Sequence, residues 1–473
     1  MNEPVRAYPL ALRALWAAVM VSLPVTSFRY YPHVFGTTQV KPLAFLPLVF
    51  AVPWALFLTW RARQWRWLAV VVPLLFFGLW ALVSTLTGFF RQPAPWVGLS
   101  YPARALRAWL SFGVGLSFLL AALLFNRNLE ELRFSLRWLY VGFVMVAVWG
   151  SLQVVALKVY YPLWPRLGHW QASFSSIGLL PHRISGMAYE PSWFANQLVG
   201  LYLPWLVASL AGGVSLFRWR AASAVLALVA AVLLVFTYSR GGVLTALAAL
   251  LIVGLLALRR WLRGFRQSAA WRRAWPRLTA AGLLVGLVLA GSVALLLQNA
   301  YFASLFHLEP GQSVVRHFIE AHSGPRLAYA WAGLGVFAQH PWLGVGLGGS
   351  GFFLPQHLPP WSVTWLPEVA RLTSRQYLAF LNPKDMYVRL LAETGIVGFV
   401  AFVAFVAVLV GYARRWCKGS ADGRWVGLAA VWILVATALR WFTQDSLAMP
   451  TLWISVGLFL GPLAWALPAQ SAP

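Results

Sequence analysis

Twelve apolar runs recur along this 473-residue chain, near 9–28, 42–60, 67–87, 108–125, 138–157, 193–213, 222–238, 242–258, 278–298, 396–413, 426–443 and 451–467. No other feature constrains the fold as much. A helix needs roughly 20 apolar residues to cross a hydrocarbon core of about 30 Å. Inside lipid a backbone must satisfy its own hydrogen bonds, and a helix does so within one segment. The runs therefore predict an all-α polytopic membrane protein with about 12 transmembrane helices. At 60% hydrophobic and 10% charged residues, a soluble globular domain is excluded.

The connectors set the orientation. Arg61, Arg63 and Arg66, then Arg127, Arg133 and Arg137, then Arg218 and Arg220, then the Arg-rich stretch 259–277, then Arg414, Arg415, Lys418 and Arg424 occupy alternate short connectors. Basic loops stay in the cytoplasm, so both termini are expected there. All eight His residues and seven of the eleven carboxylates then fall on the opposite side. The chain divides into a transmembrane bundle over 1–298, carrying an outer loop at 159–192, a large extracytoplasmic loop region over 299–395 with short helices, and C-terminal spans over 396–473. Polar residues concentrated in the loops of a membrane protein mark where its chemistry lies.

Several function classes drop out. The net charge of +26 is spread over separate connectors, which argues against nucleic acid as partner. One cysteine, Cys417, excludes an internal disulfide. No spacing of His and carboxylates suits a divalent cation, so no metal is expected. Neither a P-loop nor a dinucleotide fingerprint is present, and no cofactor is expected.

Four stretches carry candidate chemistry, each with a structural alternative. Tyr238-Ser239-Arg240-Gly241-Gly242 lies between two runs so close that they must form a hairpin; Arg240 either snorkels to the interface or binds phosphate in bidentate fashion. Arg183 precedes Glu190-Pro191-Ser192 at the mouth of a span. That triplet is either a plain helix start or places Glu190 as a general base. Arg326 opens a helix predicted over 327–337, ended by His340-Pro341 and an irregular Gly-rich run over 341–353; His340 is a structural or a substrate-binding residue. Asn382-Pro383-Lys384-Asp385 reads as a helix start with Asn382 as N-cap. Lys384, Asp385 and Tyr387 are further binding candidates there, and Asp385 with Arg389 has the spacing of a surface ion pair.

In this order the motifs resemble the bacterial O-antigen polymerase and O-antigen ligase superfamily, integral-membrane glycosyltransferases of the GT-C type. The carriers are Arg183 before Glu190-Pro191-Ser192, Ser239-Arg240-Gly241 between spans, Gly324 and Arg326 before Trp331, Phe337 with Pro341, Gly344 and Gly346, and a helix ending Glu393 and Gly395. The resemblance covers about 160–400. It implies a polyprenyl-diphosphate-linked oligosaccharide donor, a similarly linked acceptor, and metal-independent inverting transfer in which Arg183, Arg240 and Arg326 hold the diphosphate. Where many members have a His nine residues before the closing Glu, this chain has Lys384 followed by Asp385. The general base is then expected to be Glu190 with His340 in reserve, and Lys384 is assigned to phosphate binding. The Glu-Pro-Ser run is closer to the polymerases, which act on surface polysaccharide in company with a chain-length regulator and membrane lipids. Transfer to lipid A core by a ligase is the alternative within the family. A lipid-linked glycan flippase or transporter is the alternative of another class, against which stands the absence of a repeat relating the two halves; an envelope scaffold is the third.

Overall fold

The computed structural model describes residues 8–32, 38–91, 93–265, 307–308, 311, 313–320, 324–374, 379–420 and 423–466. Each apolar run within them is a helix: α1 (Leu10–Ser22), α2 (Phe45–Arg61), α3 (Leu68–Arg91), α4 (Tyr101–Phe125), α5 (Leu129–Lys158), α7 (Pro191–Gly212), α8 (Arg220–Phe236), α9 (Arg240–Phe265), α15 (Met386–Lys418), α16 (Arg424–Arg440) and α17 (Pro450–Ala466), with α6 (Leu163–Phe174) before α7. Between α9 and α15 come the short α10 (Val314–Phe318), then α11 (Gly324–Gln339), α12 (Leu354–His357), α13 (Pro360–Trp365) and α14 (Pro367–Thr373). The run at 278–298, with most of the basic stretch before it, lies outside the described residues. Among the described residues six helices, α3, α4, α5, α7, the α9 stretch to Arg259, and α15, are long and apolar enough to cross a membrane. The fold is that of an all-helical polytopic membrane protein.

Packing follows the distribution of small residues, as expected where lipid removes the hydrophobic drive between helices. On α17, Gly457 lies so close to Ala122 of α4 that a Cβ there would collide with it. Two buried indoles donate to backbone oxygens, Trp465 to Leu123 at 2.8 Å and Trp416 to Phe459 at 2.8 Å. At the basic end Asn128 caps α5 by accepting from Glu131 N at 2.9 Å, while Glu131 pairs with Arg127 at 2.8 Å.

Helix α7 contains one π turn, Leu198–Tyr202. Such a turn frees backbone carbonyls, and here side chains of three neighbouring helices donate to them. Trp432 Nε1 reaches Val199 O at 2.8 Å, Ser455 Oγ reaches Gly200 O at 2.6 Å, and Tyr140 Oη reaches Tyr202 O at 3.0 Å. The turn is fixed by α5, α16 and α17 together.

The Gly-rich run is the structural surprise. Helix α15 is broken at Gly395, whose φ of 66° lies in the left-handed region. The break leaves carbonyls and an N–H without helical partners, and the Gly-rich loop supplies them. Val345 N donates to Ala392 O at 3.0 Å, Gly346 N to Glu393 O at 2.9 Å, and Ile396 N to Pro341 O at 2.8 Å. Gly344, with φ of 66°, and Gly395 are both backed against main chain with no room for a Cβ. Below the loop, Trp80 Nε1 donates to Thr394 O at 3.0 Å, and Ser84 Oγ to Glu393 O at 2.7 Å. A small core of Ala328, Tyr329, Val336, Leu354, Val369 and Leu381 holds α11 to α14 over this junction.

Two sequence expectations are corrected here. The N-cap of α15 is Asp385, which accepts from Val388 N at 3.0 Å, and not Asn382, whose side chain accepts from Arg104 at 3.0 Å. Asp385 and Arg389 do not form a surface pair, since both are buried and Arg389 pairs with Glu393 at 3.0 Å. Cap geometry decides both: a carboxylate turned toward the free N–H groups of its own helix cannot also reach one turn up.

Candidate active site

The polar loops meet at one end of the bundle. Helix α7 begins there, with Glu190 as its N-cap residue in extended conformation and Pro191 at the first helical position, as the triplet predicted. Ser192 Oγ donates to Glu190 Oε1. The carboxylate is half-buried and aimed by a hydroxyl, a disposition suited to a base that must hold one orientation.

The tight turn between α8 and α9 is the predicted hairpin, and it packs on the first turns of α7. Gly242 faces Ala195 with its ideal Cβ position only 2.7 Å away, so a larger residue would push the turn off. Ser239 Oγ accepts from Gly242 N at 3.3 Å and caps α9, leaving Arg240 at its first position. Arg183 binds the same turn, its Nε donating to Thr237 O at 2.9 Å and Nη2 to Tyr238 O at 3.4 Å. The structure thus places Arg183 and Arg240 on one turn, beside the helix that carries Glu190.

On the far side of α7's start stands Arg440, the last residue of α16, with Nη2 donating to Ser192 O at 3.4 Å. Its Nε and Nη1 are buried and have no protein partner. Next to it Asn196 donates to Gln444 Oε1 at 2.7 Å, while Asn196 Oδ1 and Gln444 Nε2 are buried without partners. Sequence reasoning missed this group because hydropathy absorbed Arg440 into the apolar run 426–443. The available signal was a charged residue inside such a run.

The other predicted residues lie over the α15 junction. Arg326 is exposed on the first turn of α11. Lys384, in the left-handed region with φ of 56°, pairs with Glu368 at 2.7 Å and lies 4.8 Å over the Tyr329 ring. Tyr387 donates to Ala438 O at 2.9 Å and packs on Trp441 and Phe442, which occupies its hydroxyl. Asp385 caps α15; burial first, and then Asp445 nearby, raises its pKa above the ordinary carboxylate value, against two backbone N–H groups that lower it. His340 ends α11 with its ring 5.7 Å from that of Phe353. Burial, then Arg91 and His357, lowers its pKa, so its imidazole is neutral and able to accept a proton at neutral pH.

Beneath them Glu393 is fully buried and saturated, accepting from Ser350 Oγ at 2.9 Å and Arg389 Nε at 3.0 Å. Arg389 also donates to Asp445 O. A buried ion pair held in this way is a positioning device: removing one partner costs about 3–5 kcal/mol because the other is left charged and unpaired. The pair fixes the 441–449 connector, and with it Gln444, to the top of α15. Among the described residues no group of three or more His, Cys, Asp and Glu side chains is gathered as a metal site.

At this end of the helical membrane fold Arg183, Arg240 and Arg440 thus adjoin the start of α7, where Glu190 stands. Residues 222–403 match the family described as O-antigen ligase, so this part of the chain is similar to the O-antigen ligase and polymerase superfamily. The matched segment includes Arg240, Arg326, His340, Lys384 and Glu393, whereas Arg183, Glu190 and Arg440 lie outside it. No curated protein matches the chain.

Proposed function

We propose that this protein polymerises polyprenyl-diphosphate-linked oligosaccharide repeat units on the outer face of the inner membrane. One observation carries the reading: Glu190, the Arg183–Arg240 turn and Arg440 all adjoin the start of α7. The acceptor hydroxyl attacks the anomeric carbon of the donor, a new C–O bond forms, and the bond from that carbon to the diphosphate oxygen breaks. The hydroxyl proton passes to Glu190. The negative charge that develops on the departing diphosphate, added to those it already carries, is met by guanidinium groups in a site poor in water, where oriented cations are most effective. Attack opposite the leaving group inverts the anomeric centre. The family description favours a second reading, ligation of the finished glycan to lipid A core.

Liposomes carrying the full chain and lipid-linked repeat units test this. Wild type is expected to give a ladder of elongated glycans. Arg240→Lys keeps the charge but loses the fork, and Glu190→Gln loses the base; each is expected to slow elongation about 100-fold or more. Normal ladders from both variants would sink the proposed roles. Transfer to lipid A core by wild type, with no ladder, would move the assignment to the ligases.

A further inference from the structure

Five charged side chains meet where α15 begins, and their signs do not balance. Asp385, Arg389 and Glu393 recur at every fourth position and so share one face of the helix. All three are buried. Half-buried Asp445, on the 441–449 connector, lies against that face. Its Oδ2 accepts from Lys384 N at 3.2 Å, and its carbonyl accepts from Arg389 Nη1. Arg104 of α4 is the fifth member. It donates to Asn382 Oδ1 at 3.0 Å and to Gly348 O at 3.3 Å, near enough to act on Glu393 and Asp445.

The charges around this group are spent elsewhere. Lys384 Nζ and Glu368 of α14 pair with each other at 2.7 Å. Arg107 stands behind Arg104 on α4, and Tyr101 of the same helix gives its hydroxyl to Thr85 O at 3.0 Å. Arg440, at the head of the connector, is turned to Ser192 O at 3.4 Å. Three carboxylates therefore face two guanidinium groups. A buried group left with one surplus charge takes up a proton instead. Glu393 does not need it, being held by Arg389 and Ser350. Asp385 and Asp445 are left, close enough for each to disfavour charge on the other.

We propose that Asp385 and Asp445 share one proton, and that this proton holds the connector on α15 and so positions Gln444 and Arg440 at the start of α7. The inference deepens the proposed function and rests on it for the effect on glycosyl transfer; what it adds is how that site is controlled. Three links tie the connector to α15, namely Lys384 N to Asp445 Oδ2, Arg389 to Asp445 O, and Met386 N to Trp441 O at 2.7 Å. Two of the three meet at Asp445. As pH rises the shared proton leaves to water, both carboxylates are charged, and their repulsion drives Asp445 off. Gln444, the next residue in the chain, then leaves Asn196, to which it is bonded at 2.7 Å. The raised pKa of Asp385 gives the sign: the connector is docked below that pKa and loosened above it. Asp385 and Asp445 are positioning residues, acting through the connector.

The test uses the full chain in nanodiscs, with a spin label on Thr443→Cys, an exposed connector position, in a Cys417→Ser background. Label mobility and elongation of lipid-linked repeat units are followed from about pH 5 to pH 9, which spans the range of buried carboxylates. In the parent the label is expected to become mobile and elongation to fall together as pH rises, both following one proton. Asp385→Asn and Asp445→Asn keep an acceptor oxygen and remove the surplus charge. Each is expected to keep the label immobile and to abolish the alkaline fall. A merely structural role for the carboxylates would lower elongation at every pH and leave the transition where it was, which overturns the proposal. A parent without a transition overturns it as well. A transition lost in both variants, from a parent that elongates nothing, keeps the shared proton and rejects the polymerase. Elongation with an alkaline fall that both variants retain rejects the shared proton alone.

Discussion

Asp385 illustrates how one carboxylate serves two opposed demands. It caps α15 through Val388 N, which favours the charged form, yet it is buried beside Asp445, which disfavours it, and burial prevails. Its folded pKa therefore exceeds its unfolded value. Between the two, the folded state binds more protons than the unfolded one, so stability falls as pH rises through the window above the ordinary carboxylate range. Asn is as good a cap as Asp and carries no charge. Asp385→Asn is expected to flatten that fall and to raise the midpoint of thermal unfolding at neutral pH. A midpoint that drops, with the fall intact, would show that the cap needs the charge. Lys384 has a related lesson: it is tied to Glu368 at 2.7 Å, so its ammonium is directed at α14 and a role in substrate binding would require that pair to open.

Among the elements, α15 determines most about the site. Its break at Gly395 and the glycines opposite form one joint, and the joint holds Glu393, Arg389 and the connector bearing Gln444. Gly395→Ala imposes both a left-handed φ, at about 1–2 kcal/mol, and a Cβ against Trp342's carbonyl. It is expected to lower the unfolding midpoint in detergent by several degrees and to cut activity more than Gly411→Ala, a glycine of the same helix with open space around it. Equal effects from the two would mean that the joint is not rigid. Much of this architecture was legible in the chain. Glu190-Pro191 announced a helix start because proline fixes φ, and Ser239-Arg240-Gly241 announced a turn because two apolar runs left no other room. The pairing of Arg389 was not legible, since i and i+4 partners lie on both sides of it and only burial chooses between Asp385 and Glu393. Nor was the joint, because hydrogen bonds between a loop and a helix dozens of residues away leave no local periodicity. Arg440 was hidden by averaging: a single cation does little to the hydropathy of a run.

At the scale of the whole molecule, the two ends of the bundle differ in kind. One end has short basic connectors and helix caps such as Asn128; the other has interlocked loops from 23–32, 38–44, 159–190, 237–239, 344–349 and 441–449. The arginine distribution predicts that the interlocked end faces out. In a Cys417→Ser background, an impermeant maleimide applied to intact cells is expected to label Ser173→Cys and to spare Ser420→Cys, both exposed positions. The opposite pattern would invert the topology and put the chemistry in the cytoplasm. The joint at Gly395 also has a consequence for biogenesis. The loop that supplies Val345 and Gly346 leaves the ribosome well before the helix whose carbonyls it binds, and Met386 in turn donates to Trp441, made later still. During synthesis this region must therefore wait, unpaired, for the closing helices to arrive. A chain halted before α16 would present that region to proteases as an open substrate, and the order of translation, not the order of stability, decides when this end of the protein can close.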